Sequence, residues 1–82
     1  MKTKDKMIYA YIFIETEQGT AKATTDRVRS IKGVVSCHSV TGPYDVIALV
    51  EAENIPILGE FIVAQIQHIP GVIRTLTNVV CS

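Results

Sequence analysis

Eighty-two residues, with eight basic and eight acidic side chains and a formal net charge of zero, provide for one small domain whose core leaves much of its surface to be covered by partners. Beyond the basic start Met1-Lys2-Thr3-Lys4-Asp5-Lys6 the cations form no stripe, which argues against nucleic-acid binding by this chain alone, and no apolar run approaches the ~18–20 residues of a membrane span. Two cysteines and no apolar leader behind that start point to a soluble, reducing, cytoplasmic setting without disulfides.

Residues 1–6 read as a disordered basic tail and 7–82 as the domain. Ile8-Tyr9-Ala10-Tyr11-Ile12-Phe13-Ile14 is β-branched and aromatic and predicts a first strand, bounded by the polar run Glu15 to Gly19. From Thr20 the apolar spacing becomes Ala21, Thr24, Val28, Ile31, which suits a helix ended by a left-handed glycine at Gly33. A second strand is expected from Val34 to about Thr41. Gly42-Pro43-Tyr44-Asp45 then carries turn formers, and Val46-Ile47-Ala48-Leu49-Val50 resumes an extended run, so the two strands form a hairpin. Asn54 can cap a second helix that tolerates Pro56 in its first turn and aligns Ile55, Leu58, Ile62, Ile66 and Ile69 on one face. A last strand runs from Val72 to Val80.

The chain repeats itself: Ile31-Lys32-Gly33-Val34-Val35 returns as Ile69-Pro70-Gly71-Val72-Ile73, each copy joining a helix to a strand. The order βαββαβ with right-handed crossovers gives an α+β, ferredoxin-like plait, a four-stranded antiparallel sheet with two helices on one face. A sheet covered on one side should alternate apolar with polar. The first and third strands do not, since Tyr9, Tyr11 and Phe13 oppose Ile8, Ala10, Ile12 and Ile14, and Ile47 and Leu49 oppose Val46, Ala48 and Val50. Helices cover one face; a second copy of the sheet is expected on the other, though the pattern does not say which side chains go where.

The turn between the second and third strands suits a zwitterionic ligand, whose carboxylate needs donors and whose ammonium needs acceptors. Gly42 lets a backbone approach and exposes its N–H, Thr41 offers a hydroxyl, Asp45 an anionic acceptor, and Tyr44 a wall with one donor. A purely structural account competes with this one: Gly42 and Pro43 shape the turn, Asp45 accepts from turn amides, and Tyr44 packs on a neighbour. Cys37, His38 and Cys81 lack metal-ligand spacing, so no metal or cofactor is expected. His68 belongs with the carbonyls at its helix end, and Glu15 and Glu17 read as solvated charge. No catalytic constellation is visible.

Val40-Thr41-Gly42-Pro43-Tyr44-Asp45, the repeated Ile-x-Gly-Val segments and the closing Ile69-Pro70-Gly71-Val72 resemble the effector-binding (RAM) domain of the Lrp/AsnC transcription regulators over residues 7–82. The resemblance implies dimers paired through their sheets, assembled further into octamer or decamer rings. It implies a small effector, typically an amino acid, between dimers near the turn, with Thr41, Gly42, Tyr44 and Asp45 as its contacts. The polar Thr75, Thr77 and Asn78 of the last strand are candidates to line such an inter-dimer crevice, and Arg74 to pair with an acid across the same junction. Full regulators of this kind carry an N-terminal helix-turn-helix domain, for which this chain has no room, so a stand-alone RAM protein is expected, with full-length Lrp/AsnC regulators as partners. The competing class is a small ferredoxin-like dimeric-barrel enzyme, which needs an acid, base or nucleophile inside a pocket.

Overall fold

The computed structural model describes residues 6–82; of the expected basic tail, residues 1–5 lie outside the described residues. β1 (Ile8–Thr16), α1 (Ala21–Arg29), β2 (Val34–Ser39) and β3 (Val46–Ala52) are followed by a π-helical stretch, Ile57–Val63, that runs directly into α2 (Ala64–Gln67), and β4 (Val72–Val79) closes the chain. The sheet is antiparallel in the order β2-β3-β1-β4, which is the expected plait. No helix among the described residues is long and apolar enough to cross a membrane.

The internal repeat is kept down to single hydrogen bonds. In one copy the Val34 amide donates to the Ile31 carbonyl, in the other Val72 donates to Ile69, both at 3.1 Å. The carbonyl of Gly33 then accepts from Glu51 at 2.8 Å, and that of Gly71 from Glu17 at 2.7 Å. The two glycines have φ of 100° and 97°, a conformation costly to any residue with a Cβ. Each half therefore leaves its helix by the same turn, tied in one copy to β3 and in the other to the residue just past the end of β1.

Register decides the sidedness left open by the pattern. Ala10, Ile12 and Ile14 of β1 and Val46, Ala48, Val50 and Ala52 of β3 are buried together with Val28 of α1 and Leu58, Ile62, Ile66 and Ile69 of the second helical segment. The alternate set, Tyr9, Tyr11, Phe13, Ile47 and Leu49, lies on the side away from the helices, joined by Leu76 of β4 opposite Phe13. Tyr11 is 45% exposed and Leu76 46%. Within one chain this outer face stays uncovered and apolar.

Several boundaries differ from expectation: β3 runs on to Ala52, two residues past Val50, and β4 ends at Val79 rather than Val80. β2 stops at Ser39 instead of Thr41, because Val40 already closes the loop by donating to the Asp45 carbonyl at 2.8 Å. β1 runs on to Thr16, where β4 slips register between Glu15 and Thr16. The second helix begins where Asn54 Oδ1 accepts from the Ile57 amide at 2.8 Å, as its cap position requires, but it is wound wider than an α-helix. The Ala64 amide reaches back five residues to Gly59. Gly59 and the β-branched Ile57, Ile62 and Val63 favour the tighter α winding only weakly, and Leu58, Ile62 and Ile66 are buried on the core. Ile55, expected on that face, lies before the wide stretch and is 56% exposed.

Candidate functional site

The loop from Val40 to Asp45, closed on itself by the Val40–Asp45 bond, is also held by β1. The Asp45 amide donates to the Ile14 carbonyl at 3.0 Å, and Asp45 Oδ2 accepts from the Thr16 amide at 2.8 Å and from the Thr16 hydroxyl at 3.3 Å. The carboxylate thus does the work of a ladder carbonyl at the point where β1 outruns β3. The structural account had it accepting from amides of its own turn; the bonds instead span 29 residues to another strand. Its second oxygen, Oδ1, takes no hydrogen bond among the described residues.

Next to it, the half-buried Tyr44 ring leans on Phe13, centroids 5.7 Å apart and planes at 50°, the tilted arrangement that aromatic quadrupoles favour. Tyr44 therefore stands at the end of the open sheet face. Thr41, Gly42 and Pro43 are exposed beyond it. Gly42 has φ of 128° with nothing within 4 Å of where a Cβ would sit, so backbone conformation and not crowding makes it glycine. The tip offers an N–H, a hydroxyl and half a carboxylate beside an aromatic wall.

The other two candidates lie elsewhere. Thr75 stands opposite Ile14 and Thr77 opposite Ile12, on the helix side of β4, with β1 between them and the turn. The Thr75 hydroxyl accepts from Gln67 Nε2 at 3.0 Å. One protomer thus brings Thr41, Gly42, Tyr44 and Asp45 together and leaves Thr75 and Thr77 on the far side of the central strand. Arg74 has an acid within its own chain: its Nε and Nη2 each lie 2.9 Å from Glu15 Oε1 on β1. Sequence reasoning missed Thr16 and Phe13 as the residues that hold the turn. No local pattern marks them, since the pairing depends on register between distant strands.

Among the described residues, no three His, Cys, Asp or Glu side chains gather as metal ligands. Cys37 is buried in the core beside Ala48 of β3, and burial pushes its thiol up to about 11 from 9.0, the Arg29 guanidinium opposing the shift. His38 lies opposite Ile47, exposed, and Cys81 is exposed at the chain end. His68 Nδ1 lies 2.7 Å from the Ala64 carbonyl, so it carries the proton and serves the helix end. A shallow groove of about 400 Å³ separates α1 from α2 and is lined by Arg27, Ala64, Gln65, His68 and Ile69. Its amide and imidazole bond their own helix, Gln65 Nε2 donating to Phe61 at 3.1 Å, so few groups point into it.

A shared ancestry accounts for this combination of plait, repeated glycine turn and clamped loop. The model of the Lrp/AsnC ligand-binding domain matches residues 9–82, nearly the whole chain. The chain belongs to the Lrp/AsnC ligand-binding domain family. An uncharacterized HTH-type transcriptional regulator of Pyrococcus furiosus is 32% identical over 60 residues, covering 73% of this chain and 40% of that protein, so the chain spans less than half of that relative's length. A solved structure from Thermus thermophilus superposes with a TM-score of 0.85 at 29% identity, over 92% of this chain and 94% of that one. A Neisseria meningitidis transcriptional regulator, solved as an L-Met complex, shares the fold with a TM-score of 0.79 at 19% identity, over 92% of this chain and 50% of that one. Lrp/AsnC proteins are regulators and not enzymes, which removes the dimeric-barrel enzyme from consideration.

Proposed function

We propose that this Lrp/AsnC domain binds an amino acid at the Thr41–Asp45 turn and uses that binding to modulate Lrp/AsnC-type transcription regulation in the cytoplasm. The family match over residues 9–82 carries the reading. An amino acid as ligand is supported by the L-Met complex of the Neisseria regulator and by the groups at the turn tip. Thr41 Oγ1 and the Gly42 N–H suit the α-carboxylate, and the second Asp45 oxygen suits the α-ammonium. Tyr44 then walls the side chain. Thr75 and Thr77 contribute from another protomer, since within one chain they lie beyond β1.

The domain, residues 7–82, acts as a homodimer joined through the outer sheet face, and dimers assemble into an octamer or decamer ring whose crevices hold the effector. The apolar outer set of Tyr11, Phe13, Leu49 and Leu76 supports the pairing. It works without DNA contacts of its own and, where a full-length Lrp/AsnC regulator takes the place of the second copy, joins that regulator through the same face. In support, zero net charge gives nucleic acid no general attraction.

A thermal-shift screen of the twenty amino acids tests the reading. A ligand present at ~100 times its dissociation constant adds ~2.7 kcal/mol of stability, enough to raise the melting temperature of a domain this small by several degrees. A screen in which no amino acid moves the midpoint overturns it.

A further inference from the structure

We infer that Phe13 is a positioning residue for the effector turn: it fixes Tyr44 at the rim of the outer sheet face, so that ligand binding at the turn and pairing of the sheets act on the same ring. The inference rests on the function proposed above and adds to it the residue through which the two processes meet. Phe13 sits in the central strand β1, on the outer side, with Ile47 of β3 on one flank and Leu76 of β4 on the other. Its ring is thus among the surfaces that a second sheet would cover. It is also what Tyr44 leans on, at 5.7 Å between centroids, and among the described residues this is the one aromatic pair.

On its other side the turn is already fixed to the same strand. Asp45 bonds Ile14 and Thr16, the neighbours of Phe13 and Glu15 along β1. Those hydrogen bonds set the backbone of the turn; the Tyr44 side chain, on a loop whose tip is exposed at Thr41 to Pro43, depends on Phe13 for its orientation. A contact that orders a binding-site side chain beforehand lowers the entropy lost when the ligand arrives. Because a partner sheet also orders Phe13, ligand affinity and sheet pairing change each other by the same factor.

The test compares Phe13→Leu, Tyr44→Leu, the double variant and Phe13→Tyr with the wild-type chain. Two readouts are taken: the midpoint shift with each of the twenty amino acids, and the rate of chymotrypsin cleavage after Tyr44 relative to cleavage after the exposed Phe61. Phe13→Leu keeps an apolar outer face but removes the ring. It is expected to weaken amino-acid binding by about 2- to 10-fold, the value of one aromatic pair, and to speed cleavage at Tyr44 while leaving Phe61 unchanged. Phe13→Tyr retains the ring and is expected to match wild type in both. The double variant should bind no more weakly than Tyr44→Leu, because Phe13 acts through Tyr44. If the wild type binds but Phe13→Leu binds as tightly, or the two losses add, the inference falls while the effector reading stands. If Phe13→Leu does not fold, Phe13→Tyr decides, since weaker binding or faster Tyr44 cleavage with the ring retained overturns it. If no chain, wild type included, responds to any amino acid, both fall together.

Discussion

In the proposed reading Asp45 serves fold and site at once. One carboxylate oxygen replaces a missing ladder carbonyl at Thr16, and the other remains open to a ligand. Asp45→Asn separates the roles, because an amide oxygen still accepts from the Thr16 N–H while the charge is gone. We expect the melting temperature to stay within a few degrees of wild type and amino-acid affinity to fall about 10- to 100-fold, the value of a hydrogen bond to a charged group, as read by titration calorimetry. Equal affinity would assign Asp45 to the fold alone. Cys37 gives a second residue-scale prediction. With its thiol raised by burial to about 11 from 9.0, the folded chain holds that proton where the unfolded chain releases it. The stability this contributes is complete below pH 9 and is lost as pH rises from 9 towards 11, a fall visible in urea midpoints and absent in Cys37→Ala. At neutral pH a thiol reagent should modify exposed Cys81 promptly and reach Cys37 only on unfolding.

At the level of elements, legibility followed the length scale of the interaction. The hairpin, the cap at Asn54 and the two glycine turns were readable because each is specified within a few residues. The wider winding of Ile57–Val63 was not, since the apolar spacing of Leu58, Ile62 and Ile66 suits an ordinary α-helix equally. The same limit applied to the site: the turn could be read from Thr41 to Asp45, whereas Thr16 and Phe13 came into it only through strand register. Two substitutions probe these elements in opposite directions. At Gly33 a Cβ would stand 2.7 Å from Ile62 Cδ1 and 3.1 Å from the Glu51 carbonyl, with φ already at 100°. Gly33→Ala therefore adds overpacking to backbone strain and should cost about 2–5 kcal/mol in urea denaturation. Gly59 has open space around it and no positive φ, so Gly59→Ala should stabilise by about 0.5–1 kcal/mol. A loss there would mean that the π winding itself needs glycine.

For the whole molecule the decisive quantity is the state of the outer face. The four strands form a plate with the helices on one side, and the side chains at its centre on the other, Tyr11, Phe13, Leu49 and Leu76, come from three different strands and make one continuous apolar surface. Individually such residues are common on protein surfaces; a contiguous set at the middle of a sheet is what a partner covers. A two-fold pairing places each central residue near its own symmetry mate, so one added charge per chain becomes two like charges brought together in an apolar setting. Leu49 is opposite Tyr11 near the centre of the plate and its side chain does not enter the core, which lets Leu49→Lys alter the face while sparing the fold. Sedimentation of wild type at micromolar concentration should give a dimer or a larger ring, and Leu49→Lys should give a folded monomer with its circular dichroism intact. Because the effector crevice lies between dimers in the proposed assembly, the monomeric variant should also lose its thermal response to amino acids. A wild-type chain that sediments as a monomer, or a Leu49→Lys chain that remains assembled, would show that this surface is not where copies of the protein meet.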